Sequence, residues 1–361
     1  MRRSRWKPSS ACTLTEAVAA SPLQADLQGV LDCVDARVWE ALRGRSIFVT
    51  GGTGFVGSWL VEALLQARKN HAPGLSVTVL SRDPGVFLGA YPQLAADAAL
   101  RLHRGDLASF SFPNGRFDLA VHAALPVAEA AAGGLAAIAR QGAQRVVEFA
   151  QAQALGLQGL LHVSSGAVYG RQPAGLARLR EDTPWNLAGP DNDYTQAKRQ
   201  EEQVFRESRV GCVTARCFAL IGPRLSPASG TAAAQFIAQA AAGHTVTVEG
   251  DGLALRSYQY AADMAAWLLT LLALGQPRRA YNVGSEETIG MADLARKVSD
   301  RAGGGPVQVL GRSAPGRAGT RYIPDTVRAR DELGLRNCVS LDDAIARTLR
   351  WRRSQPLTMA P

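Results

Sequence analysis

The sequence predicts an α/β fold: a doubly wound parallel sheet with a smaller C-terminal region. Short apolar segments alternate with helix-like, often alanine-rich segments between residues 46 and 165. This alternation is typical of parallel strands that helices cover on both faces. Near residue 220 it gives way to shorter elements, where Gly, Pro and Ser cluster at residues 222–230. The length of 361 residues suits two domains, or one large domain with an elaboration.

The individual elements follow from local patterns. Apolar segments predict strands at residues 46–50 and 76–81, within 100–107 and 118–124, and at 159–165, and a helix-like run covers residues 58–68. Before the first strand, apolar residues between Leu23 and Leu42 recur at intervals of three and four, which predicts an amphipathic helix docked on the main body. We expect three regions: an N-terminal extension at residues 1–44, a main domain at 45–220, and a partly interleaved C-terminal region at 221–361.

Composition narrows the classes of function. No apolar run reaches the roughly 18 residues that a membrane span needs, and the basic start lacks the apolar stretch of a secretory signal. The five cysteines are scattered without a C-x-x-C, which indicates a reducing cytosol and no zinc site. We therefore expect a cytoplasmic protein without a metal, a membrane or a nucleic-acid partner. The net charge of +9 comes mostly from arginine, a residue suited to phosphate ligands.

The stretch VTGGTGFVG predicts a phosphate-binding turn. It places Gly51, Gly54 and Gly57 at G-x-x-G-x-x-G, directly after a predicted strand and at the start of a predicted helix. In this context the glycines allow a tight turn and a close approach of the backbone to a pyrophosphate. The N–H groups that open the helix, at Phe55 and Val56, add a positive dipole end. The turn therefore predicts a dinucleotide cofactor, NAD or NADP.

The end of the second strand bears on the choice of cofactor. It reads Leu80-Ser81-Arg82-Asp83, and a small hydroxyl followed by Arg fits the 2′-phosphate of NADP better than the ribose hydroxyls of NAD. We therefore favour NADP(H), while Asp83 keeps NAD open. Asp106 follows the third strand, where it could accept a hydrogen bond from the adenine amino group. Leu107 and Ala123 complete the candidate cofactor site.

A second stretch, YTQAK, carries the predicted chemistry. Tyr194 and Lys198 are four residues apart, so on a helix they share one face. A free phenol holds its proton too tightly to act as a base near neutral pH, but a neighbouring ammonium favours the phenolate. Ser165 ends the fifth strand, at the sheet edge where open α/β folds bind ligands. Its hydroxyl can hold the substrate oxygen that Tyr194 protonates or deprotonates.

Taken in order, these motifs resemble the extended short-chain dehydrogenase/reductase superfamily, in its NAD(P)-dependent sugar-nucleotide epimerase/dehydratase branch. The resemblance covers about residues 45–350. It rests on motifs spread along the chain: TGGTGFVG, GDL, VHAA, SSGAVYG, YTQAK, RCFALIGP, GDGLALRSYQYAADM, YNVGS and PDTVRARDELGL.

The resemblance implies a Rossmann domain at residues 45–220 that binds NAD(P), and a substrate-binding region at 221–361 that closes over a nucleoside diphosphate sugar. It implies Ser165, Tyr194 and Lys198 as the catalytic set and Arg256 as a contact of the substrate diphosphate. Helices around residues 131–154 and 194–208 would form a homodimer interface. The implied setting is the synthesis of nucleotide sugars and of cell-surface polysaccharides such as lipopolysaccharide.

Two departures from the family pattern are informative. Relatives often carry Asn where this chain has Ala219, so Arg256, Arg224 or backbone N–H groups would have to bind the diphosphate. In 4,6-dehydratase relatives, carboxylates or a carboxylate and a partner follow the catalytic hydroxyl, because eliminating water needs a separate acid and base. Here these positions are Gly166 and Ala167, and Ala167 becomes a candidate substrate contact.

The aliphatic pair favours hydride and proton exchange at one carbinol carbon, most simply C4. Epimerisation at C4 is our first expectation, followed by NADPH-dependent reduction of a 4-keto sugar. A 4,6-dehydratase stays open if another group, such as Cys217, supplies the acid. Reduction of a non-sugar carbonyl and a non-catalytic NAD(P)-binding role are further alternatives, since fold does not fix substrate.

Overall fold

The computed structural model describes residues 22–127, 134–153, 159–185, 192–312 and 319–355. The strands of this part of the chain are β1 (Ser46–Thr50), β2 (Ser76–Ser81), β3 (Leu100–Arg104), β4 (Leu119–His122), β5 (Gly159–Ser165), β6 (Cys212–Cys217), β7 (Leu220–Ile221), β8 (Val246–Val248), β9 (Leu255–Ser257), β10 (Gln259–Tyr260), β11 (Ala280–Val283), β12 (Thr288–Gly290), β13 (Val307–Val309) and β14 (Arg321–Tyr322).

The helices are α1 (Pro22–Leu31), α2 (Ala36–Leu42), α3 (Phe55–Asn70), α4 (Pro84–Ala90), α5 (Pro92–Ala95), α6 (Leu135–Ala152), α7 (Asp193–Glu207), α8 (Ala232–Ala241), α9 (Ala261–Leu274), α10 (Met291–Ala302), α11 (Val327–Leu333) and α12 (Leu341–Ser354). Among the described residues, no helix is long and apolar enough to cross a membrane.

The central sheet is parallel and doubly wound, as the sequence predicts. Its strand order is β11-β6-β5-β4-β1-β2-β3, and each neighbouring pair is parallel. The chain runs outward from β1 to β3 and then returns to the other side of β1 with β4. This reversal opens a crevice at the carboxyl ends of β1 and β4, which is where such sheets bind ligands.

Helices bury the sheet on both faces. The helices α6 and α7 pack against each other on one face, while α3 and α9 pack against each other on the opposite one. The rings of Phe48 on β1 and Phe149 on α6 are 4.6 Å apart, and α9 is apolar on every side and almost wholly buried. A parallel sheet covered in this way needs strands that are apolar on both faces, which β1 and β4 are.

The N-terminal extension docks on the main body as predicted, but it does so as two helices. Its single predicted helix breaks between α1 and α2, where Asp35 accepts a hydrogen bond from the backbone N–H of Arg37 and caps α2. Both helices pack on α9. Asp26 of α1 also binds the Tyr260 hydroxyl at 3.1 Å and the Arg347 guanidinium at 3.0 Å. The apolar spacing continues across this break through Leu31, Val34 and Val38, which explains why spacing alone suggested one helix.

After residue 221, one strand joins the main sheet and the other strands lie in small separate sheets. β11 returns to the edge of the main sheet beside β6. The other strands form small sheets, in which β9 lies between β12 and β14, and β8 pairs with β13. The β9 and β14 pair matters most for function, because it sets Arg256 and Tyr322 side by side in register.

Candidate active site

The turn after β1 is closed so tightly that two of its glycines have no room for a side chain. Gly51 has a φ of +75°, and a Cβ there would lie 2.4 Å from the carbonyl carbon of Ala123. A Cβ on Gly57 would lie 2.0 Å from the carbonyl oxygen of Gly51. Backbone can reach backbone this closely only at glycine. Both the turn and the contact with the end of β4 therefore depend on these two residues.

The third glycine begins the helix. Gly54 caps α3 with extended backbone angles and makes no side-chain hydrogen bond, and Phe55 and Val56 are the first helical residues. The N–H groups in the first turn of a helix lack intrahelical acceptors. They lie at the carboxyl edge of the sheet, where they suit a pyrophosphate. A glycine-rich turn beside N–H groups that lack intrahelical acceptors fits the dinucleotide cofactor that the sequence predicts.

The residues at the end of β2 differ in their burial and in their contacts. Ser81 is buried and Arg82 is exposed. Asp83 accepts hydrogen bonds from the backbone N–H groups of Gly85 at 2.9 Å and Val86 at 3.2 Å, and so caps α4. Its carboxylate already has this structural role.

The remaining cofactor candidates lie after β3. Asp106 accepts a hydrogen bond from the backbone N–H of Ala108 through Oδ1, at 2.9 Å. Its other carboxylate oxygen has no part in that bond. The Leu107 side chain is buried against Gly142 of α6, so it can serve a ligand only through its backbone.

Ser165 ends β5 beside two groups that come from distant parts of the chain. Cys217 is its in-register neighbour on β6, and the buried phenol of Tyr322 lies close to the Ser165 side chain. Ser165 Oγ also accepts a hydrogen bond from the backbone N–H of Ala167, at 3.2 Å. Burial raises the pKa of the Cys217 thiol to about 12, so this thiol is neutral near pH 7.

The volume beside Ser165 explains Gly166. A Cβ at that position would lie 2.7 Å from both the Tyr322 hydroxyl and the Phe218 ring. These two rings pack with their centroids 4.6 Å apart. An aromatic pair thus fills the space that a side chain at position 166 would need. Sequence reasoning missed Tyr322, because no local motif links residue 322 to residue 165.

Tyr194 and Lys198 lie on α7 at the predicted spacing. Asn192 caps this helix by accepting a hydrogen bond from the N–H of Thr195 at 2.7 Å, so Tyr194 falls in its first turn. Tyr194 is half-buried and Lys198 is buried. Lys198 Nζ donates to the carbonyl oxygen of Val163 on β5, at 3.0 Å. The helix therefore holds the lysine against the strand that ends in Ser165.

The acidic partner of Lys198 was not predicted. Lys198 Nζ lies 2.8 Å from Glu201 Oε2 inside the core. Burial lowers the pKa of Lys198, but the Glu201 carboxylate and the Tyr194 phenol outweigh it and raise that pKa above its ordinary value. The lysine is therefore an ammonium at neutral pH.

Of the two arginines predicted to bind the diphosphate, one has contacts that leave its charge available. Arg256 donates to the carbonyl oxygens of Leu255 at 2.8 Å and Thr320 at 3.1 Å, and to Thr320 Oγ1 at 3.3 Å. Within the described ranges it has no acidic partner. Its burial lowers its pKa below the ordinary value, as expected for a cation whose charge is not neutralised.

The other arginine has a structural environment. Arg224 Nη2 lies 2.5 Å from Glu62 Oε2 of α3, and both side chains are nearly buried. Its guanidinium also lies over the ring of Tyr91, 4.9 Å from the centroid. The structure thus engages Arg224 in an ion pair within the fold, which makes Arg256 the better candidate for the substrate.

Comparison with known proteins agrees with this geometry. The sequence profile described as "NAD dependent epimerase/dehydratase family" matches residues 47–284. The chain belongs to this family. Membership confirms the resemblance found in the sequence, makes the chain an enzyme of the epimerase/dehydratase type, and accounts for the turn of glycines at the end of β1.

Known proteins resemble this chain over most of its length. A dTDP-glucose 4,6-dehydratase from Streptomyces niveus is 29% identical over 323 residues, covering 85% of this chain and 92% of the relative. A UDP-glucuronic acid decarboxylase from Arabidopsis thaliana is 28% identical over 272 residues, or 70% of this chain and 73% of the relative. The solved structure of a Streptomyces venezuelae dTDP-glucose 4,6-dehydratase with NAD bound has a TM-score of 0.72 and 26% identity, covering 85% and 97%.

Proposed function

We propose that this family member uses NAD(P) to exchange hydride and a proton at one carbinol carbon, C4, of a nucleoside diphosphate sugar, and that its reaction is C4 epimerisation. One observation favours epimerisation over the elimination of water. Tyr322 and Phe218 fill the space beside Ser165 that a side chain at Gly166 would need. The group of Ser165, Tyr194 and Lys198 is the set that single-carbon chemistry needs. Eliminating water would need a further acid and base next to this set.

The roles follow from position. The nicotinamide of a bound cofactor supplies the hydride acceptor and donor. Ser165 holds the C4 oxygen by a hydrogen bond, and Tyr194 takes the hydroxyl proton as the C4 carbonyl forms. Before this transfer Tyr194 is a phenolate, and the Lys198 ammonium offsets its charge. Tyr194 then returns the proton to the same oxygen when C4 is reduced from the other face, so that the cofactor ends as it began.

Three alternative reactions make different demands on these residues. Reduction of a 4-keto sugar needs the same residues but consumes the cofactor. A 4,6-dehydratase, the activity named for the Streptomyces relatives, would need another acid, and the neutral thiol of Cys217 beside Ser165 is the available candidate. Reduction of a non-sugar carbonyl would leave Arg256 without a phosphate to bind.

The test is incubation of the protein with UDP-, dTDP-, CDP- and GDP-sugars and their 4-keto derivatives in deuterated water, followed by NMR. We expect one sugar nucleotide to be converted to its C4 epimer without solvent deuterium on C5 or C6. Stoichiometric oxidation of a reduced cofactor would indicate the reductase instead. Deuterium on C6 would establish a dehydratase and overturn the proposal.

For substrate binding we propose Arg256 as the contact of the diphosphate, with backbone N–H groups in place of the Asn that Ala219 replaces, and Ala167 as a further substrate contact. The support is a half-buried guanidinium with only neutral partners among the described residues. Calorimetric titration of Arg256→Ala with a nucleoside diphosphate tests this contact. Unchanged affinity would assign Arg256 to the fold alone.

For the cofactor we propose a preference for NADP(H), although the Streptomyces venezuelae neighbour was solved with NAD. The support is that the Asp83 carboxylate caps α4, which leaves Ser81 and Arg82 as the candidates at the end of β2 for the adenosine ribose. Replacing Ser81 by Asp and Arg82 by Asn should shift the ratio of dissociation constants toward NAD(H), since it supplies an acceptor for the ribose hydroxyls and removes a cation. If the unaltered protein already binds NAD(H) more tightly than NADP(H), this preference is wrong.

We further propose a cytoplasmic homodimer, with cell-surface polysaccharide synthesis as its setting and with the three regions drawn at residues 44 and 220. The segments predicted at its interface, residues 131–154 and 194–208, contain α6 and most of α7, which lie together on one face of the sheet. Residues 131–133 and 154 lie outside the described ranges. Sedimentation equilibrium tests the dimer, and a monomer at micromolar concentration would contradict it.

A further inference from the structure

A row of polar side chains crosses the sheet beneath the proposed catalytic lysine. Thr50 on β1, His122 on β4 and His162 on β5 are in-register neighbours, and all three are buried. Thr50 Oγ1 lies 2.8 Å from His122 Nδ1. His122 Nε2 faces the Glu201 carboxylate of α7, which can only accept. This places the His122 proton on Nε2 and leaves Nδ1 to accept from the Thr50 hydroxyl.

Glu201 of α7 lies against the two histidines of this row. Its Oε2 lies 2.9 Å from His162 Nε2 and 2.8 Å from Lys198 Nζ. Its Oε1 lies 3.6 Å from His122 Nε2, too far for a hydrogen bond but close enough for the N–H dipole to act. Glu201 has no exposed surface. A buried carboxylate thus joins both imidazoles to the ammonium.

The charges in this cluster can be assigned. Burial lowers the pKa of His162, which leaves it neutral near pH 7. Burial would raise the pKa of Glu201, but the Lys198 ammonium and the His162 hydrogen bond hold it well below its ordinary value. The other groups that face Lys198 are Tyr194 on its own helix and the neutral thiol of Cys217 on β6. The cluster therefore contains one anion, Glu201, and one cation, Lys198.

A buried lysine loses its proton readily unless an opposite charge lies beside it. We propose that Glu201 is a positioning residue for the active site: it keeps Lys198 in the ammonium form and fixes Nζ against β5, while His162 and His122 hold the carboxylate in place. This inference rests on the proposed role of Lys198 as the cation beside Tyr194. Without Glu201, Lys198 could give up its own proton and no longer offset a phenolate.

The test reads the charge of Lys198 directly and needs no substrate. The chain has four lysines, so replacing Lys7, Lys69 and Lys297 by Arg leaves one ε-carbon signal in protein labelled with carbon-13 lysine. In this background we expect the Lys198 signal to stay in the ammonium position to at least about pH 10. In Glu201→Gln it should titrate at least about one pH unit lower than with Glu201 present.

The matched control is Glu202→Gln, the same change one residue further along α7. Glu202 is buried too, but its Oε2 pairs with Arg216 Nη2 at 2.8 Å, so the titration of Lys198 should not move. A signal that stays ammonium throughout the same range in Glu201→Gln overturns the proposal. If that variant does not fold, the protein with Glu201 present still tests the proposal. Loss of the Lys198 proton below about pH 9 in that protein overturns it. If Tyr194 proved not to be the general base, these titrations would be unchanged, so the two proposals can fail separately.

Discussion

Tyr194→Phe should lower kcat by about two to four orders of magnitude and leave the fold and cofactor binding nearly unchanged. The hydroxyl of the phenol is the only part removed, and its proton transfer accompanies hydride transfer at the carbinol. Tyr194 is half-buried at the start of α7, so a phenylalanine ring occupies the same space. Steady-state rates with the converted sugar nucleotide, together with titration of the cofactor, measure the two effects separately.

A second tyrosine provides the control. Tyr281 on β11 contributes its hydroxyl to a hydrogen bond with Glu332 at 2.9 Å, near the amino end of its strand and opposite the crevice. Tyr281→Phe removes one buried hydroxyl but should keep most of the activity. If Tyr194→Phe retained more than about a tenth of the rate, the general-base role of Tyr194 would be wrong.

Gly57→Ala should disrupt the turn after β1. The added Cβ would lie 2.0 Å from the Gly51 carbonyl oxygen and 2.7 Å from its carbon. Since both are backbone atoms, the turn and α3 have to move apart. We expect the free energy of unfolding to fall by about 1–3 kcal/mol or more. Each lost hydrogen bond to the pyrophosphate would cost about 1.5–3 kcal/mol in cofactor binding.

The same change three residues earlier is the matched control. A Cβ on Gly54 would meet its nearest atom, the Gly51 carbonyl oxygen, at 3.6 Å, and the φ of Gly54 is −81°. Gly54→Ala should therefore unfold at nearly the same temperature as the unaltered protein in a thermal denaturation experiment. Equal stability of Gly54→Ala and Gly57→Ala would show that the packing at Gly57 does not constrain the turn.

Much of the fold and of the site could be predicted from the sequence, because it depends on neighbours along the chain. The strand, glycine turn and helix from residue 46 to residue 70 are one continuous segment, and their order alone indicates a dinucleotide. Tyr194 and Lys198 share a helix face at a fixed spacing. The end of β5 places Ser165 at the binding edge of a parallel sheet. In each case the geometry follows from the regular repeat of a strand or a helix.

Other features depended on contacts between residues far apart in the chain. Tyr322 reaches Ser165 across 157 positions only because β14 lies beside β9, and that contact explains why residue 166 is glycine. The ion pair that engages Arg224 joins the loop after β7 to α3. The division of the N-terminal extension into two helices depends on the cap at Asp35 and on the surface of α9.

By itself, the sequence determined the fold class, the glycine turn and the pairing of Tyr194 with Lys198, because local backbone periodicity sets all three. Only the tertiary structure decided which charges surround Lys198. Glu201 is an ordinary surface residue by its sequence context, yet α7 packs it against His162 and His122 with no exposed surface. Removing water from that contact makes the Lys198–Glu201 attraction strong, and burial depends on how a helix lies on the sheet, which no pattern of neighbouring residues specifies.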